Sequence, residues 1–130
     1  NLLIKKPYLD GFYFYVMIKI YHNKRCRKSR EALQYLKNNG IDLKIIEYLK
    51  NPLTAAEWKN LFSQIGKLPQ EMIRTQEALW KSDYKGKPID NVKLLEIFSK
   101  HPKLIKRPIV LKDQKGVLAE PIEVLEAFLS

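Results

Sequence analysis

The sequence predicts an α/β domain with a mixed four-stranded sheet, and three observations support this fold class. An apolar run over residues 17–21 is followed by an amphipathic segment and a second apolar run over residues 41–49. Strands joined by a helical crossover of this length run parallel, so the domain opens with a right-handed βαβ unit. Apolar residues 108–111 and 117–119 flank a polar turn that contains glycine, which is typical of a hairpin. This order, βαβ, a helical insertion and ββα, is that of a thioredoxin-like fold.

The first helix is predicted over residues 29–38, because apolar residues recur there at helical spacing. Asn39 and Gly40 follow as a normal stop signal, since glycine readily adopts the left-handed conformation found at helix ends. Position 26, a cysteine, therefore lies at the corner between the first strand and this helix.

Further helices are predicted from their capping residues. Thr54, with Glu57 three residues later, has the pattern of a capping box and begins a helix that runs to Gln64. Asp90 is a favourable N-cap for a helix over residues 91–100. The remaining predicted segments are a short turn from Pro69 to Ile73, a loop over residues 83–88, and a closing helix from Pro121 to Leu129.

Residues 17–130 are predicted to form this single thioredoxin-like domain, and residues 1–16 are interpreted as an N-terminal extension that is non-native or disordered. Lys5 and Lys6 precede a short aromatic run, but this run lacks the small-residue cleavage site of a signal peptide. No stretch of the sequence approaches the apolar length that spans a membrane. We therefore expect no association with the membrane.

The chain carries 24 Lys and Arg residues against 14 Asp and Glu, which gives a formal net charge of +10. This charge favours anionic partners, among them phosphate-like oxyanions, glutathione, acidic proteins and nucleic acid. Direct nucleic-acid binding is disfavoured, because the lysines are spread along the chain without the interleaved aromatic residues of a stacking surface.

Cys26 is the single cysteine of the chain, and it lies in a strongly basic run that contains Arg25, Arg27, Lys28 and Arg30. A thiolate is the reactive form of cysteine, and its pKa falls at a helix N-terminus and beside cationic side chains. The sequence therefore predicts a reactive thiol. A lone cysteine also indicates a reducing, cytoplasmic location, and it requires a resolving thiol from another molecule.

Four ordered motifs resemble the ArsC family of glutathione- and glutaredoxin-coupled arsenate reductases, a family that also contains the Spx transcription regulators. The resemblance extends over residues 17–130. The motifs are Tyr21-His22-Asn23 with Cys26 and Ser29-Arg30, then Glu47-Tyr48-Leu49-Lys50-Asn51-Pro52, then Ile73-Arg74, and finally His101-Pro102-Lys103-Leu104-Ile105-Lys106-Arg107-Pro108-Ile109-Val110.

The resemblance implies a reaction and a set of residues for it. In family members with these motifs, the cysteine matching Cys26 attacks arsenate to form a covalent adduct, glutathione displaces it, and glutaredoxin resolves the product. Arg74 and Arg107 match the arginines that hold the oxyanion, and both are expected to face Cys26. Pro108 matches a cis-proline opposite the cysteine, and with Arg107 it is expected to bind glutathione. Glutathione is then a co-substrate, and no bound cofactor or metal is implied.

Several of these residues have a second interpretation. His22 matches a family histidine that lowers the thiol pKa when protonated, yet a histidine at a strand end also bonds to loop backbone. Ser29 is placed either to donate its hydroxyl to the thiolate or to cap the helix. For Arg74 and Arg107 the alternative is a surface ion pair.

Two positions depart from the family pattern. Glu120 stands where arsenate reductases carry a third oxyanion arginine, and Lys24 replaces a proline. Two like charges about 4 Å apart repel by roughly 4 kcal/mol at an effective dielectric constant near 20. Glu120 must therefore point away from an oxyanion, pair with a lysine, or indicate another substrate.

Three functions are consistent with the resemblance. The first is a cytoplasmic thiol oxidoreductase that reduces arsenate, with glutathione and glutaredoxin as partners. The second is a glutathione-dependent reductase of another substrate, without arsenate activity. The third is a regulator like Spx that binds RNA polymerase, but Ser29 occupies the fourth position of the Cys-x-x-Cys switch of such regulators, so an internal disulfide cannot form.

Overall fold

The computed structural model describes residues 3–7 and 13–130, and the chain forms two compact units. The first unit comprises the described residues up to Glu47 together with Arg107–Ser130, and the second comprises Tyr48–Lys106. Across the described residues, no helix combines the length and the apolar character needed to cross a membrane.

A mixed sheet forms the centre of the first unit, as the sequence predicted. It contains β2 (Tyr13–Tyr21), β3 (Lys44–Ile46), β4 (Ile109–Lys112) and β5 (Lys115–Leu118). Strand β2 pairs parallel with β3 and antiparallel with β4, and β5 completes the hairpin with β4. A further strand, β1 (Leu3–Pro7), pairs antiparallel with the N-terminal half of β2. The predicted βαβ unit and C-terminal hairpin are thus confirmed.

Two strand boundaries differ from the prediction. Strand β2 begins at Tyr13 rather than at residue 17, because its first half pairs with β1. Strand β3 is much shorter than the predicted strand over residues 41–49, because the residues before it complete the end of the first helix. Gly40 adopts a positive φ of 66°, and the Ile41 N–H donates to the Leu36 carbonyl at 3.0 Å. The chain then enters a turn directly after β3.

Two helices cover the sheet of the first unit. Helix α1 (Arg27–Asn38) begins two residues earlier than predicted, and α5 (Ile122–Leu129) takes Pro121 as its N-cap rather than as its first helical residue. Both helices contribute to one apolar core with the strands, so burial of apolar surface stabilises the crossover. The fully buried members of this core include Ile18, Ile20, Ala32, Leu36, Val110 and Leu125.

The second unit is helical, and its caps match the sequence pattern. Its helices are α2 (Ala55–Gln64), α3 (Ala78–Asp83) and α4 (Asn91–Lys100), with 3₁₀ turns at Pro69–Met72 and Pro102–Leu104. The Thr54 hydroxyl accepts from the Glu57 N–H at 3.2 Å, and the Glu57 carboxylate accepts from the Thr54 N–H at 2.9 Å. The Asp90 carboxylate accepts from the Lys93 N–H at 2.8 Å. Both predicted helix starts are confirmed.

Helix α3 was not predicted from the sequence. Its N-cap, Glu77, makes no side-chain capping bond, and none of its residues is buried. It therefore lacks both a capping hydrogen bond and a buried face. The core of the second unit lies instead around aromatic residues of α2 and α4, where the rings of Phe62 and Phe98 meet edge to face at 5.7 Å.

Candidate active site around Cys26

Cys26 is the N-cap residue of α1, directly after the loop that leaves β2. Its N–H donates to the Asn23 carbonyl at 3.0 Å, and its carbonyl accepts from the Arg30 N–H at 3.0 Å. These two bonds hold the cysteine at the first turn of the helix. Its side chain is partly exposed, so a small substrate has access to the sulfur.

The surroundings of Cys26 favour its thiolate. Burial raises the pKa of the thiol, but a hydrogen bond from Arg107 and the backbone N–H groups of Ser29 and Lys28 outweigh burial and bring the pKa below its ordinary value. The Cys26 side chain makes no capping hydrogen bond, so the N–H groups at the helix start favour the thiolate through its negative charge. The predicted reactivity of Cys26 thus has a physical basis.

The sheet brings Arg107 to the cysteine. Arg107 is buried and immediately precedes β4, and β4 pairs with the strand that leads to Cys26. The Arg107–Pro108 peptide is cis, as the family resemblance predicted, and the Pro108 carbonyl accepts from the Ala119 N–H at 2.8 Å. Residues far apart in sequence therefore converge on one thiol. The Glu120–Pro121 peptide is also cis, which the sequence did not predict.

His22 and Ser29 form a buried pair behind the cysteine loop. The His22 Nδ1 lies 2.6 Å from the Ser29 hydroxyl, which also accepts from the Asn23 N–H at 3.0 Å. Burial lowers the pKa of His22, with Lys37 and Arg30 lowering it further against the opposing charge of Glu47. This lowered pKa favours the neutral imidazole, and the geometry favours a role in holding the loop over the predicted tuning by a protonated ring.

Neither predicted role of the Ser29 hydroxyl matches its contacts. The hydroxyl is bonded to His22 and to the backbone of Asn23 rather than to the sulfur or to the helix start. It is the backbone N–H of Ser29 that acts on the thiolate. The serine thus fastens the loop between β2 and α1 to the first turn of the helix.

We expect Ser29→Ala to lower the free energy of unfolding by about 1–3 kcal/mol, because it leaves buried polar groups of His22 and Asn23 without their partner. Urea denaturation measures this change. Ser82→Ala removes a hydroxyl from an exposed site and should change stability by less than about 0.5 kcal/mol. Equal stabilities of the two variants would contradict the assigned role of Ser29.

Arg74 lies in the second unit. Its guanidinium Nε donates to the Glu77 carboxylate at 3.1 Å, and its backbone N–H donates to the Leu104 carbonyl at 2.7 Å. Arg74 therefore forms an ion pair within the second unit, which is the second of the two interpretations given for this residue. The family resemblance assigns Arg74 a role in binding an oxyanion, and this role stays a prediction.

Glu120 pairs with Lys28, which is one of the three outcomes anticipated for this carboxylate. The Lys28 ammonium donates to Glu120 Oε1, and both side chains are partly exposed. Lys28 lies in the first turn of α1, two residues from Cys26. The sequence could not identify Lys28 as the partner, since 92 positions separate the two residues. The negative charge of Glu120 is thus balanced next to the site.

One cavity of the second unit contains none of the predicted site residues. It has a volume of about 710 Å³ and lies between α2, the Pro69–Met72 turn and α4. Within residues 3–7 and 13–130, no group of three or more His, Cys, Asp and Glu residues is arranged to hold a metal ion. Of the predicted site residues, Arg74 belongs to the second unit and the others belong to the first.

Comparison with known proteins gives a consistent set of relatives. The model of the ArsC family matches residues 21–128. An arsenate reductase of Neisseria meningitidis serogroup A is 40% identical over 114 residues, covering 86% of this chain and 97% of that protein. The protein YfgD of Escherichia coli K12 is 38% identical over 112 residues, covering 84% of this chain and 94% of that protein.

A solved structure supports the same relationship. The arsenate reductase from Vibrio cholerae superposes with a TM-score of 0.79 at 37% sequence identity. The match covers 85% of this chain and 97% of that structure. Similarity of sequence and of fold therefore extends over most of the chain.

Proposed function

Since this chain belongs to the ArsC family, we propose that it is a thiol-dependent oxidoreductase that reduces arsenate, with Cys26 as the nucleophile. The observation that carries this proposal is the place of Cys26 at the start of α1, where Arg107 and backbone N–H groups lower the pKa of its thiol. The named arsenate reductases among the relatives support the substrate.

The residues around Cys26 suit attack on an oxyanion. The thiolate sulfur attacks arsenic and forms a sulfur–arsenic bond, while one arsenic–oxygen bond breaks and the leaving hydroxyl takes a proton from solvent to depart as water. Arg107 supplies donors matched to a planar pair of oxygens, and the helix start supplies N–H groups. Fixed donors of this kind stabilise the negative charge that develops during displacement. In the full reaction, arsenate and two thiols give arsenite, one disulfide and water.

The chain needs an external thiol to complete this cycle, because Cys26 is its single cysteine. We propose glutathione as the co-substrate and glutaredoxin as the partner that resolves the mixed product, in the cytoplasm. Arg107 and Pro108 are proposed to contact glutathione, and Arg74 to act as a second ligand of the oxyanion. His22 and Ser29 are proposed to position the loop that carries Cys26.

The ion pair between Lys28 and Glu120 favours a second candidate function. It replaces a cation of the family pattern with a neutral pair, which weakens the attraction for a dianion such as arsenate. A glutathione-dependent reductase with a substrate of lower negative charge fits this arrangement. That candidate predicts a reactive Cys26 without arsenate turnover.

Arsenate-dependent oxidation of NADPH, coupled through glutathione, glutaredoxin and glutathione reductase, tests the proposal. We expect turnover by the wild-type protein that stops when arsenate is omitted. Glu120→Arg restores the family cation and should raise kcat/KM for arsenate by about 10-fold, since it converts a neutral ion pair into two positive charges. Glu126→Arg makes the same change at an exposed position of α5 and is the matched control.

The two candidate functions give different results in this assay. Arsenate turnover by the wild-type protein supports arsenate reduction. No turnover by the wild-type protein, together with a gain in Glu120→Arg, would contradict arsenate as the substrate and support the second candidate. No turnover by either protein would contradict arsenate reduction as well.

A further inference from the structure

A cavity of about 380 Å³ lies beside the first turn of α1, within the first unit. Its polar lining comes from α1 on one side and from the start of α5 on the other. Lys28 lines this cavity and lies two residues from Cys26, which is about 3 Å of helix rise. Cys26 itself is not part of the lining, so the cavity lies beside the helix turn that carries the reactive thiol, and its volume falls in the range of small-ligand sites.

The charges of this cavity differ from those of the whole chain. It is lined by two cationic side chains and three carboxylates, so it carries one net negative charge in a chain of formal charge +10. The lining carboxylates are Glu31, Glu120 and Glu123, and the cations are Arg27 and Lys28. A ligand with only negative charge is therefore disfavoured here.

Existing ion pairs leave one carboxylate available. Lys28 pairs with Glu120, and Arg27 Nε lies 3.5 Å from Glu31 at a largely exposed site. Among the side chains described, Glu123 makes no ion pair, and it lies in the first turn of α5. The cavity therefore offers a free acceptor for an ammonium group, next to two paired cations that keep further N–H donors for a ligand carboxylate.

We propose that this cavity binds the α-amino acid end of a small thiol or disulfide, the chemistry present at the γ-glutamyl end of glutathione. Glu123 accepts from the α-ammonium group, and Arg27 and Lys28 donate to the α-carboxylate. A zwitterion matches a lining of mixed sign, whereas a simple oxyanion does not. This assignment rests on the proposed function, because it supplies the site at which the external thiol docks beside Cys26.

The proposal concerns a thiol–disulfide exchange that needs no arsenate. The Cys26 thiolate attacks one sulfur of glutathione disulfide, the disulfide bond breaks, and a new bond joins Cys26 to one glutathione. The other glutathione leaves as a thiolate and takes a proton from water. Cys26 is oxidised to the mixed disulfide, and half of the reagent is reduced to the thiol.

The experiment compares two probes with the intact protein. The rate of Cys26 modification is measured by mass spectrometry with glutathione disulfide and with its N-acetylated analogue, which lacks the ammonium charge. We expect the wild-type protein to prefer glutathione disulfide by about 10-fold, the scale of one charge-assisted hydrogen bond. In Glu123→Gln the ratio of the two modification rates should fall to about 1. Glu126→Gln should keep the wild-type ratio, because Glu126 lies on the same helix but does not line the cavity.

The outcomes separate this inference from the proposed function. A ratio near 1 in the wild-type protein, or an unchanged ratio in Glu123→Gln, would overturn the assignment of the cavity while leaving Cys26 a reactive thiol. An absence of modification by both probes would instead overturn the reactive thiol on which the proposed function depends, and the cavity assignment would fall with it.

Discussion

Replacing Cys26 with serine is expected to reduce arsenate-dependent NADPH oxidation to the background rate, a loss of at least about 10³-fold or ~4 kcal/mol on the barrier. Serine is close to cysteine in size, but its hydroxyl is not ionised near pH 7. Arg107 and the N–H groups of Lys28 and Ser29 then have no thiolate to stabilise. The measurement is the coupled assay with equal amounts of both proteins.

A folding control is needed for this comparison. Because Cys26 is only partly buried, Cys26→Ser should unfold within a few degrees of the wild-type protein, as measured by circular dichroism. Turnover by a folded Cys26→Ser protein at more than about a tenth of the wild-type rate would contradict the nucleophilic role.

Replacing Arg107 with methionine should raise the pKa of the Cys26 thiol and lower arsenate turnover by about 100-fold. Burial raises the pKa of this thiol, and the Arg107 hydrogen bond is the strongest of the interactions that oppose burial. Without the Arg107 hydrogen bond, the Cys26 thiolate becomes protonated at a higher pH than in the wild-type protein. The rate of alkylation by iodoacetamide as a function of pH measures this shift.

Two further variants test the specific role of Arg107. Arg107→Lys retains a positive charge but loses the paired donors, so it should recover part of the low thiol pKa and little of the turnover. Arg25→Met removes an exposed positive charge one residue from Cys26 and is the matched control. A shift of the thiol pKa in Arg25→Met as large as that in Arg107→Met would contradict the assigned hydrogen bond.

Much of the fold was predictable because its signals are local. The capping box at Thr54 and the N-cap at Asp90 need only three or four consecutive residues, and both were confirmed. The parallel pairing of β2 with β3 follows from the length of the connection, and it too was confirmed. Helix α3 has neither a cap nor a buried face, so propensity alone could not separate it from a loop.

The site residues that belong to the sequence motifs were predictable, whereas the contacts between them were not. Cys26 stands out as a lone cysteine in a basic run, and the resemblance identified Arg107 and the cis bond before Pro108. The pairing of Lys28 with Glu120 depends on the packing of α5 beside α1, which no local pattern encodes. The hydrogen bond between His22 and Ser29 likewise requires the loop conformation.

The position of Cys26 at the helix cap has a consequence for the reaction cycle. The atom that changes its covalent partner is also the anion that faces the N–H groups at the start of α1. When the sulfur is bound to a substrate, the oxygens of the adduct can take over that position. The helix start would then face negative charge in both states, and we expect the proposed cycle to need little rearrangement of the backbone.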